Sequence, residues 1–560
     1  MSSFIASRPS RYICKACRQS LSQGRKRKYG TNSITSNPSD IYDVVTVGGG
    51  PVGLALLAAI KSSPSTSHLR CALIETQSLS KQKSWELPPT QYSNRASSIT
   101  PTNQSFLETI GAWRHLDLRR VQPYDEMQVW DAGNEASIQF DWQAEAVRYN
   151  APQRTVATMT ENANLSRALL KRIQELGAED SLLPSTSVDR IDHGVDDAEG
   201  LNMSTWPVLS LKPSGPSESP STPRQIAARL LVGADGINSP VRTFAGINTN
   251  GWDYHRHGVV ATLELEPSKD TQSSADVDSA LEDFLSDEET PSNSNPQIDK
   301  NLMPSNRATA YQRFLPSMGG PIAILPLPNN HASLVWSTTP QIANYLKSLS
   351  PSAFVATVNA ALRLNQVDIK YMLSLPSTSP SSTDFTKSSS SSSYTHEDEL
   401  RWRLTQTDPA PTTREPPLVR AVQPNTVASF PLRLRNATSY IVPRIALAGD
   451  AAHTIHPLAG QGLNLGLGDA TALASTIQYA VEHGMDLGDL GMLEQYGSAR
   501  YGKAVEMSSG VDALNWMFQL GGSGEGLVGS LIGRARGLGM QVVGSGWIPG
   551  LKEIVMRRAD

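Results

Sequence analysis

The residues best placed for chemistry are glycines and carboxylates at the ends of apolar runs. Gly48, Gly50 and Gly53 form a GxGxxG in "YDVVTVGGGPVGLALLAAI". In such a turn the first glycine permits a sharp reversal. The second lets a pyrophosphate approach the backbone, and the third lets helix and strand pack closely. Free N–H groups at the helix start then face the anion. Pro51 suits the first helical turn, where its missing N–H costs little. Glu75 closes the next apolar run, 22 residues after Gly53. A carboxylate there can accept hydrogen bonds from an adenosine ribose. Read alone, Glu75 is an ordinary surface acid, and the glycine motif does not separate NAD from FAD.

Two later stretches repeat the arrangement. Asp235 and Gly236 lie in "ARLLVGADGINSPVR", and Gly449 and Asp450 in "RIALAGDAAHTIHPLAGQGLNLGLGDA". An Asp beside Gly is otherwise a simple turn or cap. His453 and His456 have HxxH spacing, which on a helix can bind a metal, but no third ligand accompanies them and no metal site is expected. No GxSxG, Walker loop or HExxH offers a rival chemistry.

Regular elements must hold these turns. Asp43 to Val47 reads as a buried strand, Pro51 to Ile60 as a helix and Cys71 to Glu75 as a second strand. "ARLLVGADG" and "RIALAGDAA" read as strands running into turns. Leu165, Leu169, Ile173 and Leu176 recur near helical spacing. "GVVATLEL" and "HASLVWSTT" are β-branched and suit an antiparallel sheet in a second lobe. Helical sequence dominates after Leu467. Polar stretches at 213–224, 264–306 and 376–417 bury too little apolar surface to offset chain entropy and read as flexible insertions.

The chain has 560 residues, too many for one core. Its net charge of -4 argues against a general nucleic-acid binder. Three cysteines cannot build a disulfide framework, which points to a reducing compartment. No apolar run reaches the roughly 18 residues of a spanning helix. Residues 1–39 carry Arg8, Arg11, Lys15, Arg18, Arg25, Lys26, Arg27 and Lys28 and no acid. That composition suits a mitochondrial transit peptide, with a disordered basic tail as the plainer alternative. Cys14 and Cys17 form a CxxC there without further ligands.

The three fingerprints, in this order, resemble those of class A flavoprotein monooxygenases, the aromatic-ring hydroxylases. The resemblance spans roughly residues 40 to 480. It implies an α/β fold: a Rossmann-like FAD-binding domain of the p-hydroxybenzoate hydroxylase type, interleaved with an antiparallel-sheet substrate domain and followed by a helical C-terminal region. The FAD-binding parts would be 40–112, 156–250 and 441–475. The substrate parts would be 113–155 and 251–440, with disordered insertions at 264–306 and 376–417, and the helical region 476–560.

By the same resemblance the cofactor is FAD. Gly48, Gly50, Pro51 and Gly53 would meet its pyrophosphate and Glu75 its ribose. Gly449 and Asp450 would meet the ribityl chain. Asp235 and Gly236 would lie near the pyrophosphate, and Arg95, in "NRASSIT", near the phosphates or ring. Arg242 could instead pair with a surface acid, and Asn162 could be only a helix cap. Pro457, Gly460, Gln461, Gly462, Leu463 and Asn464 would pass the flavin ring. A helix starting there would aim its positive end at the reduced ring. No protein acid or base is singled out as catalytic.

Within that family, "NRASSITPTNQSFLETIGAW" and "AGDAAHTIHPLAGQGLNLGLGD" most resemble the ubiquinone-biosynthesis branch, the mitochondrial relatives of the bacterial ubiquinone hydroxylases. The resemblance implies hydroxylation of a polyprenyl-4-hydroxybenzoate-type ring at carbon 5, with dioxygen, through a C4a-hydroperoxyflavin. It implies electrons from ferredoxin and its reductase, or from NAD(P)H, and a ubiquinone-biosynthesis complex. It also implies peripheral contact with the matrix side of the mitochondrial inner membrane. Trp547, Arg557 and Arg558 could sit at a bilayer surface. "YQRFLPSMGGPIAILPLP" would belong to the substrate lobe, mostly as core. The alternatives are a flavin epoxidase, a polyprenyl reductase, or a non-catalytic prenyl-binding protein on the same fold.

Overall fold

The computed structural model describes residues 40–133, 136–141, 155–195, 202–214, 224–267, 308–377, 395–407, 415–455 and 461–519. The basic segment 1–39, Cys14, Cys17, Trp547, Arg557 and Arg558 lie outside them.

The apolar run before the first glycine forms the strand Ile41–Val47, whose last four residues are buried. It is flanked in parallel by Cys71–Ile74 on one side and Arg224–Gly233 on the other. Leu182–Leu183 and Ile445–Leu447 extend the parallel set outward. Pro207–Pro213, Thr186–His193 and Ile441–Val442 add antiparallel strands. Helices cover the parallel strands, which explains why they read as continuous apolar runs. The helix Pro51–Ser62 buries Leu54, Leu56 and Leu57 in this core. Asn162–Glu175 adds Leu165, Leu169 and Ile173, the expected helical stripe. Leu176 caps that helix.

A second sheet has the strand order Val419–Val422, Asp253–Leu265, His331–Thr338, Gly320–Leu327, Thr309–Leu315, Glu126–Asp131, Ser137–Asp141, and Ala428–Arg433 also pairs with Asp253–Leu265. Its pairings are antiparallel except where Thr309–Leu315 meets Glu126–Asp131. The helices Pro340–Ser348, Pro351–Arg363 and Gln366–Met372 cover one face. There Val259, Ala261, Ile322, Leu334 and Trp336 are fully buried. A small sheet of Ala96–Ile99, Ala157–Glu161 and Val121–Tyr124 joins the two larger ones.

One expected insertion is partly ordered. Within 376–417, His396–Leu404 is a helix. Thr395 caps it by accepting from the Asp398 N–H, acids fill its first turn, and Arg401 and Arg403 occupy its last. Leu400 and Leu404 pack on the second core. These capping and charge signals outweigh the polar composition. Likewise Glu264 and Leu265 end a strand rather than begin a loop. Residues 268–307, 378–394 and 408–414 are outside the described residues.

Candidate active site: three turns at one edge of the parallel sheet

In the parallel register Val47 lies beside Ile74 and Gly233, and Gly233 beside Leu447. Gly48, Glu75, Ala234 and Ala448 therefore follow at one level, at the carboxyl ends of four adjacent strands. Ligands of open α/β sheets bind at that edge.

The glycines divide into two kinds. Gly48 has φ +111°, and a Cβ there would stand 2.1 Å from the Ala234 carbonyl oxygen. A Cβ on Gly53 would stand 2.1 Å from the Gly48 carbonyl oxygen. Both are required by the protein's own packing. Gly50 is different: its backbone is extended, at φ -73° and ψ 176°, and a Cβ there would meet nothing within 4 Å. It faces open space at the start of a helix with no side-chain cap, which leaves the first N–H groups for a ligand. Glu75 accepts from the Gly49 N–H at 2.7 Å through one oxygen and from the Gln77 N–H at 2.7 Å through the other. Its carboxylate is thereby locked against the glycine turn.

The other two turns match. Gly236 has φ +83° and open space where a Cβ would be. Asp235 accepts from the Val241 N–H, while its Oδ1 is buried without a partner and burial pushes its carboxyl up. Asp450 reaches solvent, yet burial pushes its carboxyl up, with His453 offsetting part of that. A group both crowded and accessible lies on a cleft wall. Among the described residues its carboxylate makes no hydrogen bond or ion pair.

Several residues tie these turns together. The Arg242 guanidinium donates to the Ala451 carbonyl at 2.7 Å and to the Ile237 carbonyl at 2.6 Å. It joins the two Asp-containing turns and, among the described residues, pairs with no acid. Asp469, fully buried, accepts from the Gly449 N–H at 2.9 Å, from His453 Nε2 at 2.6 Å and from Arg500 Nε at 2.7 Å. Burial raises its carboxyl, but attraction to His453 and Arg500 wins and holds it below the usual range. His453 is thus a strut. Asp469 and Arg500 were not singled out from sequence. A charged residue on a helix otherwise burying Leu465, Leu467, Ala470 and Leu473 was the signal available.

The helix Gln461–Glu482 begins beside these turns. Its Gly462 also has open space at the Cβ position, whereas Gly466 and Gly449 both crowd Val52. Asn464 is buried, and its amide is spent on the protein. It donates to the Ser98 carbonyl at 2.7 Å and accepts from the Thr100 N–H and Asn103. It pins the helix start to Ala96–Ile99. Gln461 and Leu463 stand in the same first turn. Pro457, Gly460 and His456 are outside the described residues. Arg95 is exposed, and its guanidinium makes no hydrogen bond or ion pair among the described residues. Its carbonyl accepts from the Asn162 N–H at 2.9 Å. The segment before it is held by Arg120, which donates to Glu161 at 2.7 Å and to the Gln91 carbonyl at 2.6 Å.

The second sheet completes the site. On its uncovered face Val260, Ala323, Leu325, Val335 and Met127 are only half-buried, although they lie on inner strands. At one end this face packs on the small sheet through Ala310, Leu327, Tyr124 and Met159. The small sheet is the one that Asn464 ties to the helix start. This apolar face, a roof whose inner-strand side chains are not sealed, is thus linked through the small sheet to the helix start.

Open space at Gly50, Gly236 and Gly462, with unspent acceptors at Asp235 and Asp450, fits a bound FAD. Residues 346–507 match the family described as FAD binding domain. Solved structures with the same fold include p-nitrophenol 4-monooxygenase PnpA from Pseudomonas putida DLL-E4. Its TM-score is 0.55 at 16% identity, covering 92% of this chain and 96% of that one. PqsL from Pseudomonas aeruginosa gives 0.52 at 18% identity, covering 88% and 100%. The fold and site define an FAD-dependent monooxygenase. The mitochondrial ubiquinone biosynthesis monooxygenase COQ6 of Schizosaccharomyces pombe is 34% identical over 85% of this chain and 84% of its own length. Those of Saccharomyces cerevisiae and Homo sapiens are 33% and 31% identical, covering 84% and 86% of this chain and 86% of each relative. The chain belongs to the COQ6 family of ubiquinone biosynthesis monooxygenases.

Proposed function

We propose that the chain hydroxylates carbon 5 of a polyprenyl-4-hydroxybenzoate-type ring, in the mitochondrion, on the matrix side of the inner membrane. The apolar roof carries this reading: its inner-strand side chains are only half-buried, and the small sheet links it to the helix start. Bound FAD supplies the activation of dioxygen that delivers one oxygen atom to the ring.

The chain's own residues do the rest. Gly50 and the start of Pro51–Ser62 hold the pyrophosphate. Gly48 and Gly53 set that turn, and Gly236 keeps the path beside it clear. Glu75 receives ribose hydroxyls through its remaining lone pairs, and Asp450, beside Gly449, receives those of the ribityl chain. Arg95 offers its guanidinium to the phosphates or ring. Gln461, Gly462 and Leu463 present backbone N–H groups and the positive helix end to the charge of the reduced ring. Pro457 and Gly460 belong to the same passage. Val260, Ala323, Leu325 and Val335 exclude water, which protects the activated oxygen. Interleaved parts of the chain make the two lobes, at the boundaries read from sequence.

Electrons come from ferredoxin and its reductase, or from NAD(P)H; among the described residues only one dinucleotide turn is present. The polyprenyl tail requires contact with a membrane surface and suits a complex of pathway enzymes. Deleting the gene tests the reading. The deletion strain should accumulate a polyprenylated ring lacking the carbon-5 hydroxyl. Accumulation of a ring already hydroxylated there would overturn it.

A further inference from the structure

The roof carries a polar group that the fold does not use. Tyr311, Arg313 and Leu315 point toward the covering helices: Tyr311 and Leu315 join that core, and Arg313 donates to the Ala361 carbonyl at 3.0 Å. Successive residues of a strand face opposite ways. Ala310, Gln312 and Phe314 therefore lie on the face opposite the covering helices, as the packing of Ala310 with Leu327 and of Phe314 with Val129 confirms. Gln312 stands in register with Ala323 on one side and Val129 on the other. It is only 6% exposed, and its amide makes no hydrogen bond among the described residues. No Gln312 atom is among the sealed, partnerless side-chain atoms of the described residues, so the little of this side chain that is exposed is its amide, open to a ligand.

We infer that Gln312 is the hydrogen-bond partner of the substrate's phenolic hydroxyl. This rests on the aromatic-substrate reading above and names the group that reading left open. The amide has one acceptor and two donors, and a phenol offers one donor and an acceptor. The phenol O–H donates to Gln312 Oε1, and Nε2 donates back to the phenol oxygen. No Lys or Arg alternates onto this face in Glu126–Asp131, Thr309–Leu315, Gly320–Leu327 or His331–Thr338. The Gln312 amide is uncharged, and a neutral hydroxyl matches its acceptor and donors. Accepting from the phenol proton also enriches the ring in electrons at the carbons beside the hydroxyl, where an electrophilic oxygen attacks.

The test uses the FAD-loaded full chain with two probes, 2-prenylphenol and prenylbenzene, and follows binding by the change in flavin absorbance. Wild type should bind the phenol about tenfold tighter or more. Gln312→Met keeps the length and volume of the side chain but removes both polar atoms. It should lose that preference while keeping its flavin and its affinity for prenylbenzene. Gln312→Glu keeps an acceptor and should retain a preference. A phenol preference unchanged in Gln312→Met, or equal weakening of both probes, overturns the assignment to Gln312 alone. A wild type that binds neither probe overturns the aromatic-substrate reading and this inference with it.

Discussion

His453 Nε2 and Asp469 Oδ2 are 2.6 Å apart in the interior, and the same carboxylate holds the Gly449 N–H and Arg500. One buried acid thereby fixes the turn that presents Asp450. Asp469→Asn leaves Arg500 without its counter-charge. Breaking a buried pair of this kind costs about 3–5 kcal/mol. The midpoint of denaturant unfolding should fall accordingly. Because Asp469 titrates below its ordinary 3.8, its stabilisation is complete above about pH 4 and is lost as pH falls further. The variant should lack that part of the acid dependence.

Gly50 and Gly53 should separate ligand space from protein packing. A Cβ at Gly50 meets no protein atom within 4 Å. Gly50→Ala should melt without cofactor within about 0.5 kcal/mol of wild type. It should nevertheless bind FAD at least about tenfold more weakly, and Gly50→Val should retain none. Gly53→Ala pushes a methyl group against the Gly48 carbonyl and should cost about 1–3 kcal/mol of stability even without FAD. Flavin content and melting temperature, measured together, distinguish the two.

Arg242 spans the carbonyls of Ile237 and Ala451. Arg242→Lys supplies one compact charge where a planar fork is needed. The two Asp-bearing turns should then drift relative to each other. FAD affinity should fall about tenfold, with Arg242→Met at least as weak; equilibrium dialysis reads both.

Asp450 predicts a pH effect on cofactor binding. Before FAD binds, burial raises its carboxyl above the ordinary range and so favours the protonated form. FAD hydroxyls donating to it favour the ionised form. Binding should release a proton, and FAD affinity should rise with pH across the mildly acidic range. Asp450→Asn should flatten that rise. Calorimetry in buffers of different ionisation enthalpy measures the proton directly.

The parallel core was readable because strands buried on both faces leave unbroken apolar runs, and because Gly48 and Gly53 answer to backbone crowding that spacing reveals. The roof was not. Val260 and Val259 look alike in sequence, yet one is half-exposed and the other sealed, since only the covering helices decide which face opens. The amide of Asn464 ties the helix start to Ser98 and Asn103, contacts more than 360 residues distant in the chain that no local spacing announces. The Asp469 network joins residues 16 to 31 positions apart, with no local pattern to announce it. His396–Leu404 was hidden by its polar neighbours, although its cap and charge order are local signals.

The most direct test supplies isotope-labelled dioxygen to the reduced, FAD-loaded chain together with a prenylated 4-hydroxybenzoate. The account predicts one labelled oxygen atom in a new ring hydroxyl. An unaltered ring, with every reducing equivalent recovered as hydrogen peroxide, would contradict it.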